Sequence, residues 1–287
     1  MAKSSIVSPQ QGIIDRWVRD DDDWSGFARE EEDPKPSIEE TKQPELHDVI
    51  SAQRPQLATA FAILTSPRAT TQRSHTDAAI GAIMDAIRTV NILDPGSEHN
   101  RMVLQCFEGF AYHLYMSRTP QVTLLPGLSQ FNFIRALLAN VDVLGLSSDQ
   151  MSDDALSPFN SLCPHQASAS ATLLSRLPAK LRPTDLQCAT LHHPWIDLLP
   201  VPEMRDNLFR RGLESFDEDE LCHALRRRIP SQNPGVLEWR DPWDPGGWEV
   251  TEAFLGFWGW NIAGCWDLFR STNKWRAQRG EMPLFRP

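Results

Sequence analysis

From about residue 54 onward, apolar residues recur at intervals of three and four, and no stretch sustains the apolar–polar alternation of a half-buried strand. A chain with this period folds by packing helix faces on one another. The expected fold class is therefore all-α, a multi-helix globular domain with at most one short strand, near 236–239. Proline is the main punctuation: 22 prolines against 15 glycines divide the pattern into short segments.

Three helices are expected in the first half. Over 76–93, Ile80, Ile83, Met84, Ile87 and Val90 share one face, with Thr76 placed to cap the start and Asp94-Pro95-Gly96 to stop it. Over 98–118, Met102, Cys106, Phe110 and His113 lie near one another with Val103, Phe107 and Leu114 beside them, and Thr119-Pro120 ends the run. Over 123–146, Phe131, Ile134, Leu138 and Val141 are in register, and Gly145 is available at the C-terminus. Residues 147–176 are rich in Ser, Asp and Pro and read as a long connection. Beyond it, Pro183 opens a helix to Thr190, Pro202 one to Leu213, and Asp217 with Glu220 caps a third that ends at Arg226, Arg227 and Arg228. A longer helix is expected over 250–272. The division that follows is 1–53 as an acidic tail, 54–146 as a helical part, 147–180 as a linker-like connection, and 181–287 as a Trp-rich helical part packed on 54–146.

The tail differs in kind from the rest. Residues 1–48 hold 13 acids and 6 bases, most of the formal net charge of −10, and too few apolar residues to offset the entropy of ordering. Disorder is expected there, with a short frayed helix at 11–19. Trp17, Trp24 and Phe27 interrupt the acids in the manner of segments that dock on a partner's groove, so they are candidate partner-binding residues; a solubilising acidic tail is the plainer reading. The overall charge also argues against non-specific attraction to phosphate backbones. No run of 18 apolar residues exists and the first residues lack a signal-peptide core, so a nuclear or cytoplasmic protein without membrane insertion is expected. The five cysteines, 106, 163, 188, 222 and 265, are odd in number and form no C-x-x-C pair. Neither a disulfide framework nor a zinc module is expected from them.

The common catalytic signatures are missing: there is no phosphate-binding or dinucleotide-binding glycine loop, no G-x-S-x-G, no H-E-x-x-H and no protein-kinase set. One polar group remains. His192, His193, Asp197, Arg205 and Asp206 could supply a general acid and base if folded around a pocket. Alternatively, His193-Pro194 makes a turn and Asp197 caps or pairs with Arg205. Adjacent histidines rarely aim at one ion, so no metal and no cofactor is expected. Seven of the ten tryptophans fall between 239 and 275, and Trp243, Trp248 and Trp258 are candidates for a ligand-binding wall. Core packing is the alternative, with Phe254, Phe257, Trp258, Ile262, Cys265 and Trp266 at helical spacing. Lys274, Arg276 and Arg279 form a basic patch that could meet phosphate or an acidic partner, or could neutralise Glu249 and Glu252 and close the fold.

Three groups of segments carry a resemblance when read together. They are Gln130-Phe131-Asn132-Phe133-Ile134-Arg135-Ala136 with Ser157-Pro158-Phe159; Leu181-Arg182-Pro183-Thr184-Asp185-Leu186-Gln187 with His193-Pro194-Trp195-Ile196-Asp197 and Arg205-Asp206; and Asp241-Pro242-Trp243-Asp244, Gly247-Trp248-Glu249 and Asn273-Lys274-Trp275-Arg276-Ala277-Gln278-Arg279-Gly280. This set resembles a fungal family of domains of unknown function that commonly sits C-terminal to a bZIP basic region, over roughly 75–285. The resemblance implies a regulator, or another protein of a secondary-metabolite gene cluster. The chain departs from the regulator form in having neither a basic DNA-reading helix nor leucine heptads. The expectation is a non-catalytic transcriptional regulator or co-regulator that acts through a protein partner rather than by reading DNA itself. The alternative is a biosynthetic-cluster enzyme that acts on a hydrophobic substrate.

Overall fold

The computed structural model describes residues 73–117, 125–163, 174–226 and 235–286, together with Thr59. The acidic segment with Trp17, Trp24 and Phe27 lies outside the described residues, as do Arg227 and Arg228. Within them the fold is all-α apart from one two-stranded ribbon.

Helices α1 (Arg73–Arg88), α2 (Glu98–Ser117) and α3 (Leu125–Leu144) make mutual contacts. Ile83, Ile87 and Val90 are buried, as the spacing predicts. Both ends of α1 differ from expectation. It begins before Thr76, so that residue caps nothing, and it stops at Arg88 rather than near 93. The early stop has a side-chain cause: the Asn100 carboxamide donates to the carbonyls of Asn91 (2.6 Å) and Asp94 (2.8 Å) and accepts from the Asn91 amide (3.0 Å). These are backbone groups that a continuing helix would have used. In α2 the buried line runs through Val103 and Phe107, while Met102 and Cys106 are half-buried, a rotation of the expected face.

Helix α3 is the central strut and packs against α1, α2, the ribbon and the turn at Pro194–Leu198. Its Phe131 stacks on Phe107 with centroids 4.3 Å apart, and Phe133 meets Trp248 edge-on at 5.7 Å. The helix ends where Gly145 takes φ +69°, and the Leu146 amide turns back to the Val141 carbonyl. The following connection carries a 3-10 turn (Asp149–Met151) and the short helix α4 (Phe159–Leu162), and it places Met151, Ser157 and Phe159 in the interior.

Helix α5 (Asp185–Ala189) opens with a full capping box, in which Thr184 accepts from the Gln187 amide and the Gln187 side chain accepts from the Thr184 amide. Pro202 starts α6 (Pro202–Arg211), and Gly212, at φ +88°, ends it. Asp217 caps α7 (Glu218–Arg226) through the Glu220 amide, as its spacing predicts. The expected short strand is present as β1 (Val236–Glu238); it pairs antiparallel with β2 (Trp248–Val250) in the register Val236 to Val250. Gly235, just ahead of β1, lets the chain pass close under α7: a Cβ there would lie 2.2 Å from the Ala224 carbonyl oxygen.

The single helix expected over 250–272 is two, α8 (Glu252–Trp258) and α9 (Trp266–Gln278). A 3-10 turn (Gly259–Ile262) and Gly264 at φ +68° separate them. Helix α6 holds this break open. Its Asn207 donates to the carbonyls of Asn261 (3.0 Å) and Ala263 (2.8 Å), and Asn261 donates back to the Met204 carbonyl (3.0 Å). The break rotates α8 against α9, so Phe257 is 83% exposed and Trp266 48%, and the continuous buried face expected from Phe254 to Trp266 does not exist.

Asn140, fully buried on α3, donates to the carbonyls of Leu198 (2.8 Å) and Pro242 (3.1 Å), tying two distant segments to the strut. N140A leaves both carbonyls without their donor, and the expected loss is about 2 kcal/mol or more of unfolding free energy, measured by urea denaturation.

Candidate functional site

The two polar groups singled out in the sequence occupy opposite kinds of environment, one sealed and one at the surface. The sealed one centres on Asp197, in the 3-10 turn after Pro194. Its carboxylate accepts from the Ser157 hydroxyl (2.6 Å), from the Gln187 amide, and from Nε2 of His192 (2.8 Å). The other ring nitrogen of His192 faces the Thr190 carbonyl at 2.7 Å, so the ring is held at both ends. Ser157 in turn accepts from the Phe159 amide, which sets its hydroxyl proton toward Asp197. All four residues are buried, none more than 3% exposed.

This arrangement has the residue types of a hydrolase triad in the wrong order. In a triad the histidine stands between acid and nucleophile and takes the nucleophile's proton. Here the carboxylate stands in the middle, and Ser157 donates to it directly. The serine has no histidine beside it, and the group ties together the segments that carry residues 157, 187, 192 and 197.

The remaining members of the predicted group do not converge with it. Asp197 makes no ion pair with Arg205, contrary to the pairing expected as its structural role. Arg205, on α6 and fully buried, instead donates to the carbonyls of Leu199 (2.7 Å), Arg182 (2.8 Å) and Lys180 (3.1 Å). Burial lowers its pKa to about 10, opposed by the fields of Asp197, Asp206 and Glu203. Asp206 accepts from the Thr184 hydroxyl (2.5 Å) and from Arg210 (3.2 Å). His193 caps its own turn through the Trp195 amide (3.1 Å), and its Nε2 faces the Ser152 carbonyl (2.9 Å). Each candidate catalytic side chain therefore has intramolecular partners.

The surface group lies on the β-ribbon and α9. Trp239 and Trp275 stack with centroids 5.7 Å apart; the Arg279 guanidinium sits 5.5 Å from the Trp239 ring, and the Lys274 ammonium 5.5 Å from the Trp275 ring. Cation, indole, indole, cation thus follow one another along the face. Two bonds anchor it to the frame: the Trp239 indole donates to Glu249 (2.8 Å) and the Trp275 indole to the Gly246 carbonyl (3.0 Å). Arg279 closes a two-pronged pair on buried Glu249 (2.5 and 2.9 Å) and also bonds Glu281. These carboxylates hold its pKa above the ordinary arginine value. Arg276 pairs with Glu252 (3.0 Å), so two members of the predicted basic patch neutralise Glu249 and Glu252. Lys274 makes no ion pair among the described residues.

The three tryptophans proposed as a ligand wall do not face one another. Trp248 is buried with its indole on the Pro242 carbonyl (3.0 Å), Trp243 is exposed, and Trp258 packs against Phe216 and Trp260. An open depression of about 310 Å³ beside the stack is lined by Asp244, Gly246, Asp267, Arg270, Ser271 and Lys274. Among the described residues, no group of three or more His, Cys, Asp or Glu is placed to hold a metal ion, and no helix is long and apolar enough to cross a membrane.

Sequence reasoning gave no role to Ser157, Gln187 or Glu238. The first two lie 40 and 10 residues from Asp197, a separation that only the fold closes. Glu238, 1% exposed on β1, has both carboxylate oxygens buried without a hydrogen-bond partner. Burial pushes its pKa up to about 7, against the pull of Arg135 and of the Arg240 amide and with the push of Asp241.

A family model described as Domain of unknown function (DUF3425) matches residues 160–268, a span that holds Asp197, Arg205 and the ribbon but stops short of Lys274 and Arg279. No curated protein and no solved structure matches the chain.

Two outcomes are expected. D197A leaves the Ser157, Gln187 and His192 donors facing an empty site and lowers unfolding free energy by about 3 kcal/mol or more in urea titrations. For Glu238 the raised pKa means that the folded state holds the proton more tightly. Its contribution is full below the ordinary pKa near 4.5 and is lost as pH rises through about 7. E238Q should therefore be more stable than the parent at pH 8, and the difference should shrink toward pH 4.5 in thermal melts across that range.

Proposed function

We propose that the protein is a non-catalytic transcriptional regulator or co-regulator of a secondary-metabolite gene cluster, acting through a protein partner, of the kind in which this domain follows a bZIP region in fungi. The observation that carries the reading is how the reactive residue types are used. His192, His193, Asp197, Arg205 and Asp206 each hold the fold's own segments together, which leaves the matched region a scaffold. The chemistry offered to the outside is the stack of Trp239 and Trp275 between Arg279 and Lys274. Aromatic and arginine side chains on a rigid frame are the residue types enriched where proteins meet proteins. The acidic first segment, with Trp17, Trp24 and Phe27, adds a second partner-type element at the level of sequence.

The test is to delete the gene in the source organism and record neighbouring transcripts and pathway metabolites together. The expected result is a joint fall of the transcripts and of all pathway products. Persisting transcripts with one accumulated intermediate would instead assign the chain to an enzymatic or carrier step, the second reading. Complementation with K274E, a change at an exposed side chain, should leave the melting temperature unchanged and restore less than half of the transcript level.

A further inference from the structure

Cys163 and Cys188 are joined by a disulfide, with Cα atoms 5.6 Å apart. The cysteine count had given no reason to expect one. Cys163 is the C-cap of α4 and Cys188 lies within α5, so the bond ties two short helices that contact each other. The same helices are also fastened by an amide. Asn160 of α4 donates to the carbonyls of Thr190 (2.6 Å), Gln187 (3.2 Å) and Cys188 (3.4 Å). They also stand beside the Asp197 knot, since Ser157 precedes α4 and Gln187 belongs to α5.

We infer that Cys163 and Cys188 are a site of reversible thiol oxidation, a bond that joins α4 to α5 in response to small-molecule disulfides of the glutathione class. Two observations place the site here. Both cysteines are only partly buried, as are free Cys106 and Cys222, so the bond is not sealed in the core as Cys265 is. The Asn160 amide and the Asp197 knot hold the helices in register without the sulfurs, so the dithiol form keeps two adjacent cysteines ready to re-form the bond.

The chemistry balances as two exchanges. The thiolate of one cysteine attacks glutathione disulfide, forming a mixed disulfide and expelling one glutathione thiolate. The thiolate of the second cysteine then attacks the protein sulfur of that mixed disulfide, forming the Cys163–Cys188 bond and expelling the second glutathione thiolate. The two protons lost by the cysteines are taken up by the two glutathione thiolates, and two electrons pass from the protein to glutathione.

The experiment uses the full chain, equilibrated across glutathione to glutathione-disulfide ratios and then quenched with an alkylating mass tag. The expected result is that residues 163 and 188 lose the tag together as the disulfide fraction rises and regain it when the ratio is reversed. Cys265 should show the same reactivity throughout. A pair that stays tagged even in excess glutathione disulfide overturns the inference, and so does one that stays untagged in excess reduced glutathione, which would make it a permanent staple. In C163A, Cys188 should lose the tag only by taking up one glutathione, read as its added mass; a Cys188 that loses the tag there without that mass refutes the pairing. The tagging result needs no variant, so it stands whether or not C163A folds.

Discussion

A carboxylate removed from water must collect donors, and in this fold that requirement falls on Asp197. The 3-10 turn opened by Pro194 leaves the side chain fully buried. The cost of burying it is offset only if three separate stretches deliver Ser157, Gln187 and His192 to the same two oxygens. The connection after α3, the capped helix α5 and the turn itself are thereby drawn to one point. Asn140 then ties that turn to the central helix, and Arg205 gathers the carbonyls of the next two loops. Polar groups thus set how these segments meet, while one apolar core runs from α1 to α3 on to the ribbon.

What could be read in advance follows a physical division. Local features were legible: the faces of α1 and α3, the stop at Gly145, the cap at Asp217, the helix start at Pro202 and the strand at 236–238 all depend on residues within a few positions of one another. Pairing of Arg276 and Arg279 with Glu252 and Glu249 was legible as one of two roles, because compensating charges near a chain end limit the choices. Errors arose wherever a side chain from elsewhere intervened. Asn100 shortens α1, and Asn207 opens the gap between α8 and α9, yet neither asparagine sits in the segment it alters. Cys163 and Cys188 are of the same kind, since nothing in a count of five thiols says which two will meet.

The candidate site shows the same division more sharply. The sequence groups His192, His193, Asp197, Arg205 and Asp206, but spacing alone does not say that these side chains point to different partners. Three of them act within the Asp197 and Arg205 clusters, while His193 and Asp206 serve a turn and a helix cap respectively. The aromatic choice erred differently. The sequence offers Trp243, Trp248 and Trp258 as a wall, and the pair that stacks is Trp239 with Trp275, from β1's end and α9.

Arg205 has a consequence of its own. Its guanidinium hydrogen-bonds to peptide oxygens, deep in the interior and away from bulk ions, with the fields of Asp197, Asp206 and Glu203 around it. Dissolved salt screens charges within its reach, such as the surface pairs Arg88 with Asp85 and Lys180 with Asp267, and it cannot enter around Arg205. The molecule thus has two electrostatic compartments. Ionic strength tunes the outer one, and the inner one keeps its geometry across the same range.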